Sequence, residues 1–389
     1  MLTSFSVENY RSFARKQNIE LRPLTLFFGW NSGGKSALLR FLPLISESVH
    51  VGGPPIWLGG NVGRRATWPA LVCKATGRSA MGFSLKWNSD SSLASDWKIG
   101  GDSEGTYQEI EALEIDGNAQ DRALCNWAGL LPSELIGTSL PNNLHTLRLN
   151  LLDLRNEVQW ISGVRTRPAR IVTYGGGAAG TLNADGSDAV DHLIAAQLRS
   201  SADPVLEATR SFFLAMGEQL ILDNSIAGVW RVLLHPTGGP QVRVDLCDTG
   251  EGYSQVLPVL VALARAKNGG PRLLCLEQPE LHLHTRAQAE LAKQLVATAN
   301  SDKEPRLLVE THSEVLLTSI QLAIAEGVLA PELVRVYWIE TRPDGTSDAV
   351  PVGFNSQGRP DSSTLAGAFG EAVRLGQELL SMQLSKSKR

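Results

Sequence analysis

The feature that most constrains this chain is GWNSGGKS, Gly29 to Ser36, set between the apolar run LTLFF and the amphipathic stretch ALLRFL. A glycine-rich turn joining a strand to a helix can aim successive backbone N–H groups at one anion, because glycine adopts conformations closed to other residues. The helix that follows adds the positive end of its dipole. The spacing fits G-x-x-x-x-G-K-[ST] without a gap, with Gly29, Gly34, Lys35 and Ser36 at the fixed positions. A lysine there brings a point charge to the β- and γ-phosphates, and a hydroxyl there can ligate Mg²⁺. Asn31, Ser32, Gly33, Gly34, Lys35, Ser36 and Ala37 are therefore expected to cradle a nucleoside triphosphate.

A fold that carries such a loop must supply a parallel sheet around it, and the chain has the pattern for one. FSVEN, NIEL and LTLFF read as opening strands, followed by a helix over 35–48. LVCKA, MGFSLKW, DWKIG and YQEIEALEID read as strands of a meander. From 120 to 160 the apolar spacing turns helical, LHTLRLNLLDLRNEVQWI being its clearest stretch. Two more helices are expected at 188–200 and 203–221, then strands GVWRVLLH and QVRVDLC. Strands RLLCLE, RLLVE and VRVYWIE then alternate with helices from Ser254, Thr285 and Glu314. Alternation of this kind implies an α/β fold with helices on the faces of a parallel sheet. The expected organisation is a split nucleotide domain, 1–118 and 223–389, with a partly helical insertion at 119–222 between them. The tail QLSKSKR is expected to fray.

Bulk properties narrow the class. The net charge of −4 argues against a protein that coats polyanions, although a local basic groove stays open. Cys73, Cys125, Cys247 and Cys275 stand far apart with no C-x-x-C pair, which speaks against a zinc site and a disulfide framework. No signal peptide and no membrane span are read, so a cytoplasmic location is expected.

Three further stretches carry chemistry. RLLCLEQPE is an apolar strand ending in acids, and Glu277 stands where Mg²⁺ is commonly held, directly or through water. RLLVETHSEVLL repeats the design and places His312 at a strand tip, within reach of a γ-phosphate or an attacking water. In DTGEGYSQVLPVL, Gly250 and Gly252 open a helix whose first amides are free for an anion. His282 and His284, two apart on a turn with Glu280 near, give only weak support for a metal site.

Taken together these residues resemble the ABC-type ATPases of the SMC, RecF and Rad50 group, and most closely the OLD-like AAA ATPases of prokaryotes. NYRSF with LTLFFGWNSGGKSALLRFL is similar to their first strand and Walker A motif. TGEGYSQVLPVL resembles their signature motif, LLCLEQPELHLHTRAQAELA their Walker B and D-loop, and LVETHSEVLLTSI their switch-histidine loop. The resemblance covers both ends of the chain in the family's order and implies an ABC-type P-loop ATPase fold using ATP and Mg²⁺. By position it implies that Lys35 and Ser36 bind phosphate and metal, that Glu277 supports the metal, and that His312 senses the γ-phosphate. Gly250, Gly252, Ser254 and Gln255 would face ATP held by a second protomer, in a head-to-tail homodimer.

Two positions depart from the family. Trp30 replaces a usual proline, and Gln278 replaces the catalytic glutamate. An amide cannot accept a proton as a general base, though it can orient a water. Slow hydrolysis is expected, with Glu280 as a substitute acid. The stretch after His312 has no D-x-D cluster, so a Toprim nuclease domain is not expected, and the interval from Ser36 to Gly250 lacks the heptads of a long coiled coil. The leading expectation is a stand-alone regulatory ATPase controlling a separate effector, such as a nuclease in antiphage defence. The alternative is a RecF-like repair ATPase, with Arg165, Arg167 and Arg170 among its DNA contacts. A nucleotide subunit of a membrane transporter fits poorly with the large middle insertion.

Overall fold

Buried residues in the central strands alternate between two cores, and this alternation sets the layers of the molecule. We analysed a computed structural model, which describes residues 1–50, 52–88, 92–105, 107–177, 180–238, 242–368 and 378. The basic tail at 383–389 lies outside the described residues.

β1 (Leu2–Glu8), β2 (Gln17–Glu20) and β3 (Leu24–Gly29) open the chain, and α1 (Lys35–Ser48) follows the glycine turn. After a short helix α2 (Trp68–Leu71) come β4 (Met81–Trp87), β5 (Leu93–Gly101), β6 (Gln108–Ile115) and β7 (Asn118–Ala119). β8 (Asn126–Ala128) and β9 (Leu131–Ser133) make a small ribbon before α3 (Asn142–Glu157) and β10 (Val158–Ile161). Helices α4 (Ala189–Arg199) and α5 (Pro204–Ala215) precede the hairpin of β11 (Glu218–Ile226) and β12 (Val229–Pro236), which β13 (Val244–Asp245) extends. The chain then alternates: α6 (Glu251–Lys267), β14 (Leu273–Glu277), α7 (Thr285–Ala299), β15 (Arg306–Glu310), α8 (Glu314–Ala325), β16 (Val334–Thr341) and β17 (Ser347–Val352).

The central sheet has the order β10-β14-β15-β3-β16-β17. Its first five strands are parallel, and β17 closes one edge antiparallel to β16. A second sheet, β2-β1-β4-β5-β6-β7, is an antiparallel meander. Leu26, Phe28, Leu274, Leu276, Leu307 and Val309 point to a core shared with α4 to α8. Phe27, Leu273, Cys275 and Leu308 point the other way, to a core shared with α1, α3 and the meander. Successive side chains on a strand face opposite sides, so a sheet covered on both faces must be apolar throughout. That is why LTLFF and LLCL carry no polar face.

Several local expectations are corrected. LVCKA is not a strand: Leu71 ends α2, and Lys74–Thr76 is a turn of 3₁₀ helix. The helical pattern from 120 to 160 holds only for α3; its last residues, Val158–Ile161, pair with β14, because an apolar β-branched and aromatic run is drawn into the sheet edge. The helix expected to 221 stops at Ala215, and Gly217, with φ of 85°, turns the chain into β11. α6 starts at Glu251 instead of Ser254.

Candidate nucleotide site

The glycine turn sits where β3 delivers it, at the C-terminal edge of the parallel sheet. Gly29 has φ of 146°, and a Cβ there would lie 2.6 Å from the Ile339 carbonyl oxygen on the neighbouring strand. Gly34, with φ of 106°, caps α1, and a Cβ there would meet Ser12 Oγ at 2.4 Å. Only glycine fits either place. Asn31 and Ser32 are exposed, Gly33 is buried, and Ser36 and Ala37 are partly covered on the first turn of α1. Lys35 Nζ is folded back on the loop, donating to the carbonyls of Gly29 at 3.0 Å and Trp30 at 2.7 Å. Burial holds its pKa below the usual lysine range, with Glu310 pulling the other way. The Trp30 ring is exposed and meets Trp338 edge-on.

The strand-end acids divide their roles in a way the sequence did not suggest. Glu277 was expected to support the metal, yet its carboxylate is engaged by the protein itself. Arg40, one turn beyond Ser36 on α1, donates Nε to Oε1 at 2.5 Å and Nη2 to Oε2 at 2.6 Å. The Trp160 indole adds a bond of 2.8 Å to Oε1, and the Gly163 amide one of 3.3 Å to Oε2. The acid that touches the phosphate loop is Glu310, whose Oε1 accepts from Ser36 Oγ at 2.7 Å. Burial raises its pKa above the ordinary glutamate value, against the Ser36 bond.

Gln278 follows Glu277 with φ of 39°. Its N–H donates to the Glu310 carbonyl at 2.8 Å, and its own carbonyl accepts from Arg165 Nη2 at 3.0 Å. The side-chain amide is partly exposed and makes no protein hydrogen bond among the described residues. His312 is partly covered, and burial together with the Lys35 charge holds its imidazole below the ordinary histidine pKa. Glu280, expected as a substitute acid, is instead buried beneath Thr311 and His312. Its Oε1 accepts from Thr311 Oγ1 at 2.7 Å and from the His312 amide at 3.0 Å. Burial raises its pKa. These contacts make Glu280 a support for the loop that carries His312.

The signature segment is only partly open. Gly250 is exposed and caps α6, and Gly252 is held against the His282 carbonyl, 2.7 Å from where a Cβ would stand. Ser254 is buried, with its hydroxyl turned back to the Leu246 carbonyl at 3.1 Å, and Gln255 is buried, donating to the Arg165 carbonyl at 2.9 Å. Neither side chain faces outward as expected. The arginines differ from expectation too. Arg165 is buried and donates to the carbonyls of Gln255 at 3.2 Å, Glu277 at 2.5 Å and Gln278 at 3.0 Å, and burial pushes its pKa down to about 10. Arg167 pairs with Glu251, and Arg170 with Asp245 and Asp248. His282 and His284 are exposed, and the His284 ring caps α7. Among the described residues no group of three or more His, Cys, Asp or Glu side chains could hold a metal unaided, and no helix is long and apolar enough to cross a membrane.

Sequence reasoning missed Glu310, Arg40 and Trp160. The signal for Glu310 is present in the sequence, since RLLVE ends in an acid as RLLCLE does.

The fold is that of the ABC-type P-loop ATPases, in the form found in SMC heads. The SmcHead bound to the C-winged helix domain of ScpA is similar over 90% of this chain and 97% of that one, with a TM-score of 0.56 and 13% identity. An Smc head domain with an extended coiled coil from Pyrococcus furiosus, bound to the C-terminal domain of ScpA, gives 0.53 at 11% identity, over 90% and 96% of the two chains. An Smc head domain with a coiled coil and joint from Pyrococcus yayanosii gives 0.50 at 11%, over 92% and 97%. Within that fold, residues 206–318 match the family described as AAA domain, putative AbiEii toxin, Type IV TA system. The matched segment holds α6, Glu277, Gln278 and His312. No curated protein sequence matches the chain.

Proposed function

We propose that this protein is a regulatory ATPase that binds Mg-ATP at Gly29–Ser36, hydrolyses it slowly, and closes as a head-to-tail homodimer around two nucleotides. In the same reading its ATP-bound state controls a separate effector, such as a nuclease acting in antiphage defence. The observation that carries the ATP reading is the seated phosphate loop, with two glycines that no other residue could replace and Lys35 and Ser36 at the start of α1. Lys35 releases its two loop carbonyls when phosphate oxygens offer a stronger, charged acceptor. The α1 N-terminus and the loop amides add fixed positive potential.

Mg²⁺, when bound with the nucleotide, would neutralise charge on the phosphates. The residues present fit such an ion: the Ser36 hydroxyl is available to it, and Glu310 Oε2 beside it is buried with no hydrogen-bond partner among the described residues. Slow turnover rests on Gln278. Its amide can hold a water by hydrogen bonds but cannot take the proton. The DNA-binding alternative draws no support from the three arginines, since Arg165 is internal and the other two are paired with acids.

Lys35→Ala tests the ATP reading. Removing the charge that meets the β- and γ-phosphates is expected to weaken Mg-ATP binding about tenfold or more, at least about 1.4 kcal/mol. Coinciding titrations of wild type and variant would sink it.

A further inference from the structure

Two carboxylates end adjacent parallel strands in register, Glu277 on β14 and Glu310 on β15. They differ in what surrounds them. The two oxygens of Glu277 receive four donors, from Arg40, Trp160 and Gly163, and the Arg40 guanidinium also lies 5.9 Å from the Trp160 ring centre. That carboxylate is charge-balanced and hydrogen-bonded without any ligand. Glu310 is only 3% exposed, yet one oxygen meets the Ser36 hydroxyl and the other has no hydrogen-bond partner among the described residues. Lys35, the nearest cation on the loop, spends its ammonium on the Gly29 and Trp30 carbonyls. A buried acid oxygen with no donor is costly unless a proton or a cation completes it, and beside the phosphate loop a nucleotide's cation is at hand.

Position and chemistry agree. β15 lies between β14 and the loop-bearing β3, so Glu310 is the acid next to the phosphate loop. Hard oxygens from a hydroxyl and a carboxylate are what Mg²⁺ takes from a protein, with nucleotide phosphates and waters completing its shell. We infer that Glu310, not Glu277, is the carboxylate that serves the Mg²⁺ of bound ATP, directly or through a water, and that Glu277 with Arg40 is a clamp tying α1 to β14. This rests on the proposed Mg-ATP site.

The test measures metal uptake, with Mn²⁺ as a spin probe for Mg²⁺. ATP-dependent Mn²⁺ binding is followed by electron paramagnetic resonance, beside ATP titrations with Mg²⁺ or with a chelator. Wild type should gain ATP affinity with Mg²⁺ and take up Mn²⁺ only with ATP. Glu310→Gln should lose most of the metal-dependent gain, about tenfold or more, while its metal-free ATP binding stays near wild type. Glu277→Gln should keep the gain and show a lower melting temperature. Glu310→Asp guards against a variant that fails to fold: it keeps the charge but withdraws it by one methylene, and should weaken Mn²⁺ uptake. Wild-type uptake in both Glu310 variants, or loss of uptake in a folded Glu277→Gln, would overturn the assignment. Absence of any ATP binding by wild type would instead overturn the proposed function, and this inference with it.

Discussion

Gln278 and Glu280 sit two residues apart on one turn, and the structure gives them different work. The Gln278 side chain makes no hydrogen bond among the described residues, whereas Glu280 is locked beneath Thr311 and His312. A positioned general base is typically worth a factor of about 100 to 10,000. Gln278→Glu is therefore expected to raise steady-state ATP hydrolysis about tenfold or more, with ATP affinity little changed. An unchanged rate in a folded variant would remove the main support for slow turnover. For Glu280 the expectation concerns stability and its pH dependence. Burial raises its pKa above 4.5, so the folded state holds its proton more tightly than the unfolded chain does. Its contribution is fully present below the unfolded value and is lost as pH rises through the folded one. Glu280→Gln, which mimics the protonated form, should gain stability relative to wild type as pH rises from 5 to 8. Urea unfolding at both pH values checks this; a difference that does not change with pH would contradict it.

At the scale of elements, Arg165 is the piece that joins α6 to the end of β14. Its guanidinium reaches the carbonyls of Gln255, Glu277 and Gln278, and Gln255 returns a bond to its own carbonyl. The signature helix and the Gln278 turn are thus braced by one buried side chain. Arg165→Ala removes this donor from three carbonyls, of which that of Gln278 keeps the Leu281 amide at 3.0 Å, and a buried acceptor left unpaired costs about 1–3 kcal/mol. A loss of about 1–3 kcal/mol in unfolding free energy is expected, and Arg165→Lys should rescue little of it, because an ammonium lacks the planar fork. An alanine variant as stable as wild type would show that the brace does not matter. Elements that misled the sequence reading did so where neighbours overruled local pattern. VQWI continues the helical spacing of α3, but in the sheet it buries all four residues beside β14. EQLIL follows a helix of the right period, yet Gly217 breaks it and the strand pairs with β12.

For the whole molecule, dimer closure depends on what the signature segment presents. Ser254 points inward, so substituting it would disturb the core and test nothing about association. Gly250 is the better probe. It is exposed, has φ of −56°, and a Cβ there meets nothing within 4 Å. Gly250→Trp should fold normally, bind Mg-ATP with unchanged affinity, and block nucleotide-dependent association seen by light scattering. A variant that associates as wild type does would count against a partner's ATP at this face.

The phosphate loop could be read straight off the chain, because its glycines, lysine and serine lie within eight consecutive residues and their geometry is local. The sequence also made the parallel sheet legible, since apolar runs of strand length alternate with helices, and the resemblance it carries to ABC-type ATPases marked Gln278 as standing where that group has an acid. Which acid stands by the loop, and which partners take up the arginines, came from the packing of the strands. Chain order places Glu277 first, but strand order inserts β15 between β14 and β3 and brings Glu310 to Ser36. Arg40 could not be matched to Glu277, nor Arg165 to Gln255, because 237 and 90 residues separate those partners and only packing brings them together. Local motifs are written in backbone geometry, which the sequence dictates directly. Charge pairing across a core depends on the order in which strands assemble, and that order is set by the fold as a whole.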